Sequence, residues 1–273
     1  MKFYKNPEFF ILVFLSLVNI IWSVLLHFNP DHQTIWNYLI NISYGFLYLY
    51  GGAYGILSSS APNTAGPIKK VMFWLGLALV FWAFALFFWA YYNLFMDIDI
   101  PYPSLADALF TLAYPLIGLA CFYFIKFFKP LLTPAIIRDA VLFFVLATAF
   151  CFYFLNPSLE AELPFWEKFF NLAYPIGDAI LLAMALMMLR IGAGKMQAGF
   201  WVFLSGLLVM IAADFVFAIR TFWELYWNGG ISDLLFIISI SIINLSMIML
   251  VTAQKTGAQF LGGNVAKNPE IRV

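Results

Sequence analysis

Apolar runs of about twenty residues, separated by short polar breaks, recur eight times along the chain. Runs of that length cross the hydrocarbon core of a bilayer as helices. They predict transmembrane helices over 9–28, 35–58, 71–95, 104–127, 134–155, 164–189, 198–222 and 232–252. The breaks carry turn chemistry, for example Asn29-Pro30-Asp31, the stretch from Ser58 to Pro67, Lys129-Pro130, Asn156-Pro157-Ser158 and Asn228-Gly229-Gly230. The runs are too long and too continuous for the alternating strands of a membrane barrel, so the spanning elements are helices.

Polar residues inside the runs are not scattered. Glu167, Asn171, Tyr174 and Asp178 stand at offsets 0, 4, 7 and 11, along one stripe of a helix. Asp107, Thr111, Tyr114 and Gly118 repeat the spacing, as do Asn37, Asn41, Tyr44 and Tyr48. The tetrapeptide LAYP, at Leu112–Pro115 and Leu172–Pro175, falls at the same point of two stripes. The last run keeps only the ends, Asp233 and Asn244, with Ile237 and Ile240 between them. These correspondences predict four related hairpins, each an outward helix, a short outer loop and an inward helix.

Composition agrees with this reading. Of 273 residues 64% are hydrophobic and 10% charged, with mean hydropathy +0.92. A soluble domain carries about 25% charged residues, so this chain has too little polar surface for water. Formal net charge is zero, which suggests no nucleic-acid partner. With eight spans, Lys2, Lys5, Lys69, Lys70, Lys126, Lys129, Arg138, Arg190, Lys195, Lys255, Lys267 and Arg272 share one side. Only Lys168 and Arg220 fall toward the other, and 12 against 2 predicts both termini cytoplasmic. Lys2 and Lys5 precede an apolar run with no small-residue cleavage site, which predicts an uncleaved first span. Residues 1–254 then form the membrane domain and 255–273 a short cytoplasmic tail.

Asp178 and Asp214 are the notable side chains. Asp178 lies near the middle of the sixth run and Asp214 near or slightly outside the middle of the seventh. A carboxylate at that depth costs about 2.5–3.5 kcal/mol on insertion scales, so such groups face the bundle interior or water. Tyr44, Tyr114, Asn171, Tyr174 and Asn244 are candidate partners, able to donate to a carboxylate or accept from a carboxylic acid. Together the seven suggest a polar ligand pocket entered from the outer side; interhelical hydrogen bonding is the structural alternative. Asp107, Glu167 and Asp233 complement helix N-termini, and Ser104 with Asp107 reads as a capping box. Pro115 and Pro175 remove backbone hydrogen bonds from Thr111 and Asn171, on the polar stripe.

Other chemistries are set aside. No mid-membrane lysine is present for a retinal Schiff base, and His27 and His32 sit too near a run's end to hold haem. Cys121 and Cys151 lie toward opposite ends of their helices and read as packing residues; no metal-ligand cluster or phosphate loop stands out. No motif names a cofactor. Gly177-Asp178 with Asp214 is a possible carboxylate pair of the kind intramembrane aspartyl proteolysis uses, without the fuller motifs of such enzymes.

Pro103–Ala120, Asn171–Ala183 and Gly206–Phe236 resemble a multi-helix membrane region. That region is found at the N-terminus of many diguanylate cyclases, cyclic-di-GMP phosphodiesterases and sensor histidine kinases. The likeness covers most of the chain from the third run onward, with Ser-x-x-Asp, AYP and Gly-Asp in order. It implies a membrane sensor module. No catalytic or kinase domain follows Lys255, so the resemblance implies signalling through a partner on the cytoplasmic loops or tail.

The expectation is therefore an all-α integral membrane protein of eight transmembrane helices in four repeated hairpins, in the plasma membrane. Its expected role is that of a non-enzymatic sensor or receptor. It would bind a small or lipid-soluble ligand between the inward helices. The alternative is a proton-coupled transporter working through Asp178 and Asp214.

Overall fold

The structure is a computed structural model that describes residues 3–62, 64, 66–96, 98, 100–127, 132–160, 162–192 and 197–255. After a 3-10 turn at Phe3–Lys5, eight helices follow: α1 (Pro7–His27), α2 (Ile35–Ser60), α3 (Gly66–Leu94), α4 (Leu105–Phe127), α5 (Pro134–Glu160), α6 (Phe165–Gly192), α7 (Ala198–Phe222) and α8 (Ile231–Lys255). No strand occurs among the described residues. Every expected run is a helix, and α7 has the expected bounds. The tail beyond Lys255, together with Lys2, Asp97, Asp99, Lys129, Pro130 and Lys195, lies outside the described residues.

Seven of the eight are both long and apolar enough to cross a membrane; α2 is the exception. At 26 residues α2 is about 39 Å long, so length is not what it lacks. Its tyrosines, asparagines, glycines and serines lower its hydropathy, and those residues are spent on neighbours: Asn37, Asn41, Tyr44, Tyr48, Gly51, Gly52, Gly55 and Ser58 are buried. A Cβ on Gly76 of α3 would come within 2.8 Å of the Gly52 carbonyl and the Ile56 amide. Backbones that close require glycine, which is why α2 and α3 form the tightest seam.

Neighbour relations close a cycle, α1–α2–α3–α4–α6–α7–α8 and back to α1, with α8 also against α2. In α5, 11% of the most apolar stretch is buried, against 67% in α8. So α5 stands outside the cycle, packed mainly on α6, its Val141, Leu142, Val145 and Leu146 exposed. Helix order in space thus departs from chain order at one point, which brings α4 against α6.

The bundle has two unlike ends. Where the α1–α2, α3–α4 and α7–α8 turns lie, Asn37, Asp107, Asn228 and Asp233 are buried. Toward the opposite end the interior is mostly apolar, filled by Met72, Leu75, Phe124, Met188, Phe203 and Met247, with Ser58, Thr64 and Thr252 as buried polar residues. At that apolar end Asp139 of α5 pairs with Arg138 and, at 2.9 Å, with Arg190 of α6. Both α4 and α6 run on as helix through Pro115 and Pro175.

Candidate functional site

Three polar side chains from three helices meet inside the cycle. Tyr114 of α4, Asp178 of α6 and Asp214 of α7 are side-chain neighbours. Tyr114 Oη, Asp178 Oδ1 and Asp214 Oδ2 are each shut off from the surface, and none of the three makes a hydrogen bond. The local sequence builds this contact. Gly177 offers no side chain beside Asp178, and a Cβ there would stand 2.5 Å from the Tyr114 ring. Tyr114 therefore lies directly on α6, and the next residue along presents its carboxyl to the phenol. Trp82 of α3 packs on Tyr114 with ring centroids 6.3 Å apart, backed by Phe110 and Phe236.

The remaining expected residues take other partners. Tyr174 packs its ring on Tyr114 at 6.1 Å but donates its hydroxyl to Asp107 Oδ1 at 2.9 Å. Asp107 already closes the capping box of α4, accepting from the Ser104 amide at 2.8 Å and the Ser104 hydroxyl at 2.7 Å. Asn171 accepts from Tyr102 Oη at 2.5 Å. Tyr44 donates to Asp233 Oδ1 at 3.4 Å, and Asn244 donates to the Leu47 carbonyl at 3.0 Å. So of the seven, Tyr114, Asp178 and Asp214 converge, Tyr174 flanks them, Tyr44 and Asn244 tie helices together elsewhere, and Asn171 holds the α3–α4 connection.

Around Asn228, in the α7–α8 turn, is a second polar cluster. Its Oδ1 accepts from Asn41 Nδ2 at 2.9 Å, Trp89 Nε1 at 2.8 Å and Tyr226 Oη at 3.3 Å. Its carbonyl accepts from Asn37 at 2.9 Å, and the Gly229 carbonyl from Ser23 at 2.9 Å. Gly229 has φ +88°, a conformation that favours glycine, and its amide donates to Asp233. Tyr226 also reaches Asp233, at 3.3 Å. Burial pushes the Tyr226 phenol well above its ordinary pKa, and the Asp233 charge adds to the shift. Beside the turn, His32 stacks on Trp227 at 3.9 Å and His27 meets the same ring edge-on at 4.9 Å. Sequence reasoning treats Asn228-Gly229-Gly230 only as a break; an asparagine among turn glycines, next to two aromatics, is the signal it passes over.

A polar pocket open to one end is the sequence expectation. Among the described residues a small apolar cleft lies between α5 and α6, lined by Thr148, Cys151, Phe152, Leu172, Pro175 and Ile176. It flanks α6 on the side away from the cycle. The carboxyl pair itself is covered by the close fit of Tyr114 on Gly177. Among the described residues no group of acids, histidines and cysteines could hold a metal ion, and Cys121 and Cys151 are free thiols.

An all-helical chain with seven helices able to cross a bilayer has the make-up of a multi-pass membrane protein. No family model, curated protein or solved structure matches it.

Proposed function

We propose that the chain is a non-enzymatic, sensor-like membrane module that binds a small or lipid-soluble ligand at Tyr114, Asp178 and Asp214. The observation that carries this reading is that a buried tyrosine and two half-buried carboxyl groups lie together, each with an oxygen shut off from the surface and left unpartnered. An unpartnered buried polar atom costs about 1–3 kcal/mol, and a ligand that hydrogen-bonds there removes that cost. A ligand transmits a signal only if it prefers one of two packings. The proline-bearing helices α4 and α6, which carry Tyr114 and Asp178, are the elements it would shift.

The rest of the reading follows from charge and repeats. All eight helices span the plasma membrane as four hairpins, α2 held in lipid by the burial of its polar face. The basic residues set both termini and the apolar end in the cytoplasm, with a signalling partner docking there. The sensor regions of cyclases, phosphodiesterases and histidine kinases are the proposed relatives.

Proton-coupled transport is the second reading, favoured by the two neighbouring carboxyl groups near mid-span. The packed apolar interior from Met72 to Met247 weighs for the sensor, because a carrier needs a path through that end. The test is native mass spectrometry of the protein released from nanodiscs. The sensor reading expects a retained small molecule, lost in Asp178→Asn and in Asp214→Asn. Unchanged mass spectra and unchanged stability in both variants overturn it; proton flux into proteoliposomes that ceases in Asp178→Asn selects the carrier.

A further inference from the structure

Helix α5 stands outside the cycle, yet it lies against the seam that holds the two carboxyl groups. Its Phe150 ring meets Phe215 of α7, the residue after Asp214, with centroids 6.2 Å apart. One residue on, Cys151 lines the apolar cleft opposite Pro175 of α6. Pro175 stands three residues before Asp178, which places the two about 60° apart around the helix. So α5 runs along the outer side of the α6–α7 seam, within a turn of both aspartates. Tyr114 closes the pair from the inner side, on Gly177, and Asp178 and Asp214 remain half-buried. The side left for approach is the outer one. The pair also lacks a basic partner. Both ion pairs among the described residues involve Asp139, and Arg220, six residues beyond Asp214, donates to the Leu225 carbonyl.

We propose that the site takes a long-chain primary amine, which enters sideways from the bilayer between α5 and the α6–α7 seam. This rests on the reading of Tyr114, Asp178 and Asp214 as the ligand site and names the ligand's chemistry. An ammonium group carries three N–H donors. The site holds three unpartnered oxygens, Tyr114 Oη, Asp178 Oδ1 and Asp214 Oδ2. A hydroxyl offers one donor and a quaternary ammonium none. Arriving as the free base, the amine takes its third N–H from the carboxylic acid form of Asp178 or Asp214. That O–H bond breaks, an N–H bond forms, and the ammonium and carboxylate so made pair with each other, so no ion crosses the lipid. The aliphatic tail lies in the α5–α6 cleft, along Cys151 and Pro175. For the head to pass, Phe150 parts from Phe215. The least held of the spanning helices is α5, with 11% of its most apolar stretch buried, and its Asp139 stays anchored to Arg190 at the apolar end.

The experiment titrates the full chain in nanodiscs with hexadecylamine and reads bound mass by native mass spectrometry. A single amine per chain is expected, with hexadecanol and hexadecyltrimethylammonium bound at least about tenfold more weakly. Asp178→Asn and Asp214→Asn should each weaken amine binding by at least about tenfold. Cys151→Trp and the smaller Cys151→Leu fill the cleft and leave the carboxyl groups in place. Whichever of the two keeps the parent's thermal midpoint should also bind the amine at least about tenfold more weakly. Hexadecanol bound as well as the amine overturns the proposal. So does amine binding within about twofold of the parent in both aspartate variants, or in the folded cleft variant. A co-purified molecule retained by the parent and lost in Asp178→Asn, with no hexadecylamine bound, sinks the amine and leaves the site.

Discussion

Tyr174 on α6 donates its hydroxyl to the Asp107 carboxylate on α4 across 2.9 Å. Both residues belong to polar stripes of the same spacing, Tyr174 at the seventh offset of one and Asp107 at the start of the other. The same relation recurs between α2 and α8, where Tyr44 reaches Asp233 at 3.4 Å. In each case a stripe tyrosine closes onto the acid that begins a neighbouring helix. Tyr114 breaks the pattern: it turns to the carboxyls of Asp178 and Asp214 instead.

Tyr174 and Asp107 should therefore be energetically coupled. A double-mutant cycle with Tyr174→Phe and Asp107→Asn, read by reversible unfolding in detergent, is expected to give a coupling of about 0.6–1.7 kcal/mol. A coupling near zero would mean that the bond is replaced without loss by another partner of Asp107, whose Ser104 contacts remain.

Gly177 is the residue that lets Tyr114 reach the carboxyl pair, since a Cβ there would stand 2.5 Å from the ring. Gly177→Ala must push the aromatic ring away or separate α4 from α6. The expected cost is about 1–3 kcal/mol of stability, together with loss of whatever ligand the parent retains. Gly118, beside which nothing lies within 4 Å of an added Cβ, is the control: Gly118→Ala should cost nothing and gain slightly from helix propensity.

The difference between those two glycines marks what the chain's pattern conveys. Stripe spacing says which side chains share a face: Tyr114 is buried, and Tyr174 and Asp178 are half-buried beside it. It does not say which helix each will meet. That depends on the order of helices in space, and α5 leaving the cycle is what joins α4 to α6. Hydropathy finds the helix positions because burial in lipid acts on whole segments. It under-reads α2, whose polar residues are paid for by contacts with α1, α3 and α8 that no single run reveals. Asn244 illustrates the same limit: its stripe position matches Asp178, yet its partner is the Leu47 carbonyl because α8 lies on α2.

Asn228 should be the most sensitive single polar residue at the polar end. Its Oδ1 serves Asn41, Trp89 and Tyr226 at once, so Asn228→Ala leaves Asn41 and Trp89 without their acceptor, while Tyr226 keeps Asp233. An orphaned buried donor costs about 1–3 kcal/mol, and the expected loss of stability is at least about 2 kcal/mol by thermal unfolding. Asn228→Asp keeps an acceptor for all three and should lose less. Equal losses would point to the backbone of the turn rather than to its side chain.

Alkaline unfolding supplies a last, independent test of the same turn. The Tyr226 phenol is raised by burial and by Asp233, above the ordinary value of about 10 for tyrosine. A group whose pKa is higher folded than unfolded adds stability that is fully present below its unfolded value. That contribution is lost as pH rises past about 10 toward the folded value, because only the unfolded chain releases the proton there. That contribution to the thermal midpoint should thus be constant below that pH and fall above it. Tyr226→Phe has no phenol to ionise in either state, so its midpoint should start lower, through the lost bonds to Asn228 and Asp233, and fall less steeply. Parallel alkaline slopes for parent and variant would show that Tyr226 is as free to ionise folded as unfolded, and its burial beside Asp233 would have to be abandoned.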